Sequence, residues 1–243
     1  MWPIYQRELQ SLFYAPLGYL LLSLFYIING LFLWVFDTEW NMLSAGYGDL
    51  NLFFELNPWL LIVLIPAIGM KSFSEELKLG TIEILMTKPL AQRDLVLGKY
   101  LAQLSLILIA LLSSLIYLYL INQLLFEEHS FDWGVFIGSF LGLFLLAACL
   151  CAISLWASTL FDNAISAFLV AFFIGIFHFY GWNQLALAFG DFDTYYFIKN
   201  IALQTHFSEL NKGVIRISNM IYLVGQSVFF LYWSSLNLNK MRR

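Results

Sequence analysis

The segment Lys71–Pro89 reads KSFSEELKLGTIEILMTKP and is the densest run of charge in an otherwise apolar chain. Of the 243 residues, 61% are hydrophobic and 12% are charged, and the mean hydropathy is +0.78. A soluble domain of this length needs more polar surface to cover its core. A charged segment between two apolar ones is expected on one aqueous side of a membrane, where a soluble partner can reach it.

Six apolar stretches are long enough to cross a hydrocarbon layer of about 30 Å as helices. We therefore expect an all-α, polytopic membrane protein with a single transmembrane domain over residues 1–243. The predicted spans are residues 17–36, 52–70, 94–120, 135–160, 164–180 and 217–236. Residues 1–16 place apolar side chains at helical spacing, which predicts a helix lying in the membrane interface.

The distribution of basic residues predicts the orientation of these spans. Nine of the twelve share a side with both termini: Arg7, Lys71, Lys78, Lys88, Arg93, Lys99, Lys240, Arg242 and Arg243. The other three lie in residues 181–216, which are too polar to span. We therefore predict a multi-pass protein with both termini in the cytoplasm. Residues 181–216 are predicted to form an extracytoplasmic loop with one or two short helices.

The charged segment itself is predicted to form two short helices. Ser72 and Glu75 have the spacing of a capping box that can start the first helix. Gly80 marks a break, and Thr81 can cap a second helix that Pro89 ends. The same pattern also fits a solvated connector without activity.

Two motifs in this region resemble those of a known family. Residues 76–89 follow the pattern E-x-x-x-G-T-[LI]-E-x-L-x-x-x-P, and Leu97-Gly98-Lys99 opens the third predicted span. Together with the six-span layout, they resemble the permease subunits of ABC-2 type transporters. The N-terminal residues Arg7-Glu8-Leu9, Phe13–Tyr19 and Asn29–Phe32 are similar to the permease of the gliding-motility-associated ABC transporter. The permeases of nitrous-oxide-reductase maturation are the alternative branch.

The resemblance implies a non-catalytic membrane subunit that works with separate cytoplasmic ABC ATPase subunits. ATP and Mg²⁺ are expected in that ATPase, since this sequence contains no G-x-x-x-x-G-K-[ST] loop, and no cofactor is expected in this chain. The resemblance implies that ATP hydrolysis drives either export of a substrate or mechanical work. It also implies that the protein lies in the bacterial inner membrane, in contact with lipid. Further implied partners are a second permease copy, as in a homodimer, or a related permease, and an extracytoplasmic accessory subunit. No nucleic acid is expected.

The resemblance also assigns residues to coupling with the ATPase. Most of them lie in residues 72–88, the implied cytoplasmic coupling segment. One directly follows this segment, and one lies in the short turn after the fourth span. They are Glu75, Glu76, Gly80, Thr81, Glu83, Leu85, Pro89 and Asp162.

Three other functions are possible for a polytopic membrane protein. A membrane-embedded enzyme or an ion-coupled carrier needs ionisable residues inside the spans. Only His178, Lys99 and Glu55 come close, each near the edge of a span, and His178 is expected to be a hydrogen-bonded structural residue. Cys149 and Cys151 point to different helix faces, which argues against a metal pair. A membrane scaffold for a multiprotein machine remains an alternative.

The predicted orientation can be tested by cysteine labelling in intact cells. We expect Gly48→Cys and Ser130→Cys to react with an impermeant thiol reagent added outside, because both lie in acidic segments opposite the basic side. Thr87→Cys should stay unlabelled until the membrane is opened. Labelling of the Thr87→Cys variant from outside would reverse the assigned orientation.

Overall fold

The computed structural model describes residues 1–14, 16–42, 50–82, 91–124, 131–189 and 191–241, and within these ranges all regular structure is helical. The helices are α1 (Trp2–Tyr14), α2 (Pro16–Gly30, continued by a π-helical turn, Leu31–Val35), α3 (Asn51–Gly69), α4 (Ser74–Lys78), α5 (Gln92–Ser113), α6 (Leu115–Leu124), α7 (Trp133–Ser158), α8 (Ala164–Ile176, continued by a π-helical turn, Phe177–Gly181), α9 (Trp182–Leu187), α10 (Phe192–Lys199), α11 (Leu203–Asn211) and α12 (Ile217–Met241).

Helix α7 is the centre of the bundle. Its 26 residues carry no charge, and nearly all side chains from Leu143 onward are buried. It packs against α3, α5, α8, α11 and α12. A helix that is apolar on every side is stable only when other helices or lipid surround it, and here helices do so.

Five helical segments are long and apolar enough to cross a membrane: 16–35, 51–78, 92–120, 133–158 and 164–187. They agree with the first five predicted spans. The fifth extends past its predicted end at residue 180, because a π-helical turn carries the helix through Gly181 without a break.

Helix α12 occupies the sixth predicted span but falls outside this set of five. It is 25 residues long. Polar residues such as Asn219, Gln226 and Asn237 lower its hydropathy below that of the other five segments. The structure therefore supports five of the six predicted apolar spans, and α12 is a more polar helix of similar length.

Residues 181–216 form three short helices, α9, α10 and α11, where one or two were predicted. The additional division comes from Asp191, whose carboxylate accepts a hydrogen bond from the Thr194 N–H at 3.2 Å and starts a new helix.

Helix α11 packs on a strip of small residues along α7. An added Cβ at Gly138 would lie 2.8 Å from the Leu210 carbonyl oxygen, and one at Gly142 would lie 2.9 Å from the Leu210 Cβ. Between these glycines, the Ser139 hydroxyl donates to the Asn211 carbonyl at 3.0 Å. The two glycines therefore allow the close approach of backbones that is common between membrane helices.

Two groups of polar side chains inside the spans are hydrogen-bonded to one another. Asn57 Nδ2 donates to Asn29 Oδ1 at 2.9 Å, and Asn29 Nδ2 donates back to Asn57 Oδ1 at 3.3 Å. His178 Nδ1 accepts from the Trp182 indole at 3.0 Å, which leaves Nε2–H to donate to Gln226 Oε1 at 3.3 Å. The prediction that His178 is hydrogen-bonded is thus confirmed.

The close contact of α7 and α11 predicts a position-specific effect of adding a methyl group. We expect Gly138→Ala to lower the free energy of unfolding by about 1–3 kcal/mol, because its Cβ meets backbone atoms that cannot turn aside. Gly225→Ala in α12 is the matched control, since nothing lies within 4 Å of its Cβ. Thermal unfolding in detergent measures both. Equal midpoints would show that α11 does not pack this tightly on α7.

Candidate functional site

The candidate site lies at the end of the bundle where α1, α4 and α5 meet. Helix α3 ends at Gly69, and a turn leads into α4 at Ser74. The predicted capping box is not formed. The Ser72 hydroxyl instead accepts a hydrogen bond from Gln103 Nε2 of α5 at 2.7 Å, while the Ser74 hydroxyl donates to the Met70 carbonyl. The start of α4 is therefore fixed by contact with α5 and by the preceding turn.

Helix α1 lies directly on α5, and Gly98 makes this possible. An added Cβ at Gly98 would lie 2.8 Å from Ile4 Cγ2 and 3.3 Å from the Met1 carbonyl oxygen. Farther along the contact, the hydroxyls of Tyr5 and Ser105 are 3.1 Å apart. The glycine of the Leu97-Gly98-Lys99 motif thus has a packing role that its sequence pattern alone did not reveal.

The next residue, Lys99, joins all three elements. Its Nζ donates to Glu8 Oε1 of α1 at 3.0 Å, to Glu76 Oε1 of α4 at 2.9 Å and to the Ser72 carbonyl at 2.6 Å. It also lies 4.9 Å from the centre of the Phe73 ring. These groups are called the Lys99 cluster. All three ammonium protons are used, and the residue is only 2% exposed.

The Lys99 cluster is stable only as a whole. A buried ammonium ion without a partner is strongly unfavourable, whereas one that is fully hydrogen-bonded to carboxylates can be tolerated. The sequence places Lys99 near the edge of its predicted span, where long cationic side chains commonly reach toward the aqueous phase. Instead it is enclosed, because α1 and α4 cover it from two sides. The Lys99 cluster therefore fixes the position of α1 and α4 relative to the membrane helix α5.

A series of close contacts continues from this site into the centre of the bundle. Beneath the Lys99 cluster, Gln103 holds the Ser72 hydroxyl. An added Cβ at Gly69 would collide with the Ser154 side chain of α7 and lie 3.3 Å from Gln103 Nε2. Helix α4 therefore contacts α5 directly through Glu76, whereas the end of α3 contacts the central helix α7 at Ser154.

Part of the site faces outward. A cavity of about 530 Å³ lies between α1, α4, α5 and the end of α3, with Arg7 and Glu8 on one wall and Lys71 and Glu75 on another. Glu75 forms an ion pair with Lys71 at 2.9 Å, and both side chains are about half exposed. Leu79, which follows α4, is 72% exposed. An exposed leucine beside acidic side chains was not singled out by the sequence pattern.

The structure brings together only some of the predicted coupling residues. Glu75, Glu76, Gly80 and Thr81 lie on or directly after α4. Gly80 has φ +67°, a left-handed conformation that allows the break after α4. The Thr81 hydroxyl donates to the Glu76 carbonyl at 3.5 Å, which is a long contact.

The remaining predicted residues lie elsewhere. Glu83, Leu85 and Pro89 fall outside the described residues. Asp162 is exposed in the turn between α7 and α8, next to Asn163, whose side chain accepts from the Ile165 N–H and caps α8. Because α8 contacts α4, this turn lies at the same end of the bundle as the Lys99 cluster.

The arrangement attaches two short helices to one long helix. Lys99 of α5 forms ion pairs with Glu8 of α1 and Glu76 of α4, and α1 also lies close against α5 at Gly98. Among the described residues, no group of three His, Cys, Asp or Glu side chains could hold a metal ion.

Comparison with known proteins adds an independent finding. The sequence model of a family described as ABC-2 family transporter protein matches residues 2–234. This range takes in α1 to α11 and most of α12. No curated protein matches the chain.

Removing the Lys99 ammonium ion should weaken the attachment of α1 and α4 to α5. We expect Lys99→Met to lower the free energy of unfolding by about 3–5 kcal/mol, because it leaves Glu8 and Glu76 close together without a counter-ion. Thermal unfolding in detergent measures the loss, and hydrogen exchange over α1 should show that this helix is released first.

The matched control is Lys71→Met, which removes an exposed ion pair and should change the free energy of unfolding by about 0–1 kcal/mol. Adding Glu8→Gln and Glu76→Gln to Lys99→Met should restore part of the lost free energy of unfolding, because the two unpaired negative charges are then removed. Equal stability of the two single lysine variants would contradict a structural role of the Lys99 cluster.

Proposed function

Because the chain belongs to the ABC-2 transporter family, of which it is a non-catalytic membrane permease, we propose that α1 and α4 transmit movement of separate ATPase subunits into the membrane. The observation that carries this proposal is the Lys99 cluster. Its buried contacts join the two short helices to a membrane helix. A push on either short helix is thus passed on to α5.

We propose two different roles for the predicted coupling residues. Glu75 and Leu79 are exposed and suit direct contact with an ATPase subunit. Glu76 is occupied by Lys99, so its proposed role is to anchor α4 to α5. Gly80 is proposed as the hinge after α4, with Thr81 beside it. The proposed contact surface also includes four residues whose positions match the coupling residues of the family. They are Glu83, Leu85, Pro89 and Asp162.

The proposed topology has six spans, with α12 as the last. The support is the distribution of its side chains. Asn219, Ser227 and Ser234 are buried against the bundle, whereas Ile221 and Val228 point outward. A soluble helix shows the opposite pattern, and polar residues of a membrane helix face the bundle interior. Both termini are then on one side, which the basic residues make cytoplasmic.

We propose a dimer as the working unit, formed with a second copy or a related permease in the bacterial inner membrane. Large apolar side chains on the outer faces of α2 and α8, among them Ile27, Ile165 and Phe173, are exposed in the single chain. Such faces meet either lipid or another permease. The short helices α9 to α11 are a proposed platform for an extracytoplasmic accessory subunit.

The gliding-motility branch is our proposal for the subtype. It rests on the N-terminal residues Arg7-Glu8-Leu9 and on residues 13–19 and 29–32. The work done is then export or force transmission, driven by ATP hydrolysis in the partner.

Charge reversal in the coupling segment tests the proposal. We expect Glu83→Lys to reduce several-fold the ATPase that copurifies from native membranes, because it places a like charge against a basic partner surface. Asp193→Lys is the control. It makes the same change in charge on α10, which lies in the loop proposed to face the other side.

A second variant separates binding from transmission. Gly80→Pro keeps every charge but cannot adopt a positive φ, so the break after α4 must change direction. We expect it to retain much of the ATPase while ATP turnover in proteoliposomes falls to that of the ATPase alone. Normal copurification with Glu83→Lys, and normal turnover with Gly80→Pro, would reduce the charged segment to a connector.

A further inference from the structure

A groove between α5 and α12 lies apart from the Lys99 cluster and has no role in the coupling described above. Its volume is about 300 Å³. One wall is formed by Arg93, Val96 and Leu97 of α5, and the other by Val228, Leu231 and Tyr232 of α12. The groove is thus apolar along its length and carries one cation.

The two walls are regular helix faces. On α5 the groove residues are spaced three and four apart, and on α12 the same spacing recurs, ending at Ser235 one turn beyond Leu231. The Val228 and Tyr232 side chains are exposed. A face of this kind on a spanning helix is in contact with lipid chains, so an acyl chain is its natural occupant.

The position of Arg93 defines the end of the groove. It lies in the first turn of α5, at the start of the predicted third span, and Ser235 lies at the end of the predicted sixth span, where headgroups are expected to begin. Arg93 is exposed, and the described residues provide it with no ion pair. Tyr232 adds an aromatic ring of the kind that is enriched at this depth. The last turn of α12 also carries Lys240.

We propose that this groove binds an anionic phospholipid. The lipid phosphate pairs with the Arg93 guanidinium, which is suited to phosphate oxygens, and one acyl chain lies between Leu97 and Val228. The proposal rests on the proposed sixth span, because α12 must lie in the membrane for its outer face to meet lipid. By the proposed orientation, the lipid belongs to the cytoplasmic leaflet.

Native mass spectrometry of the protein released from nanodiscs tests the proposal. The nanodiscs contain equal amounts of phosphatidylcholine and phosphatidylglycerol. We expect the parent protein to retain phosphatidylglycerol preferentially, and Arg93→Gln to reduce this retention about fivefold, as loss of one basic residue near a membrane surface does. Arg7→Gln removes an exposed charge outside the groove and should keep the preference.

Filling the groove tests the apolar part independently. Val228→Trp should reduce retention of the lipid, whereas Val224→Trp, one turn away on the same helix and outside the groove, should not. Equal retention by Arg93→Gln and the parent would overturn the proposal, as would equal losses with the two tryptophan variants. Disulfide-linked dimers of Val228→Cys in native membranes would assign the groove to a second copy of the chain instead.

These results are separable from the coupling proposal. Copurification of the ATPase with Glu83→Lys tests the charged segment 72–88, and it does not depend on whether the groove holds lipid.

Discussion

The ammonium ion of Lys99 is excluded from water, and the arrangement of one end of the protein follows from that constraint. A buried cation requires partners on every side, and these come from positions 8, 72 and 76. The N-terminal helix must therefore lie on α5, and the turn after α3 must bend back toward it. Position 98 then has to be glycine, because a Cβ there would collide with Ile4 of the N-terminal helix. One charge thus organises three separate parts of the chain.

Inside the bundle, small residues and paired amides replace the hydrophobic driving force that organises soluble cores, since lipid is as apolar as the helices themselves. Gly138 and Gly142 admit α11, and Asn29 is matched by Asn57. Helix α12 turns Ser227, Ser234 and Ser235 inward and Val224 and Val228 outward. This inverted pattern explains how a comparatively polar helix can still present an apolar surface.

The sequence was sufficient for properties that depend on neighbouring residues. The first five apolar segments, the break at Gly80 and the start of α7 near position 135 could all be predicted, because hydrophobicity and backbone preference act locally. The partners of Lys99 could not, because Glu8 is 91 positions away and either residue alone resembles a solvated charge. The prediction of a capping box at Ser72 was wrong for the same reason. The Ser72 hydroxyl accepts a hydrogen bond from Gln103, which lies 31 positions later. The fate of Glu83 and Pro89 lies outside the described residues.

The separation of Glu8 from Lys99 also has a consequence for biogenesis. Helix α1 is synthesised before α5, so its ion pair with Lys99 cannot form until α5 and the two predicted spans before it have been made. An unpaired carboxylate is unfavourable in an apolar environment, so Glu8 must stay hydrated during that interval. The final position of α1 is therefore fixed only after α5 has been made.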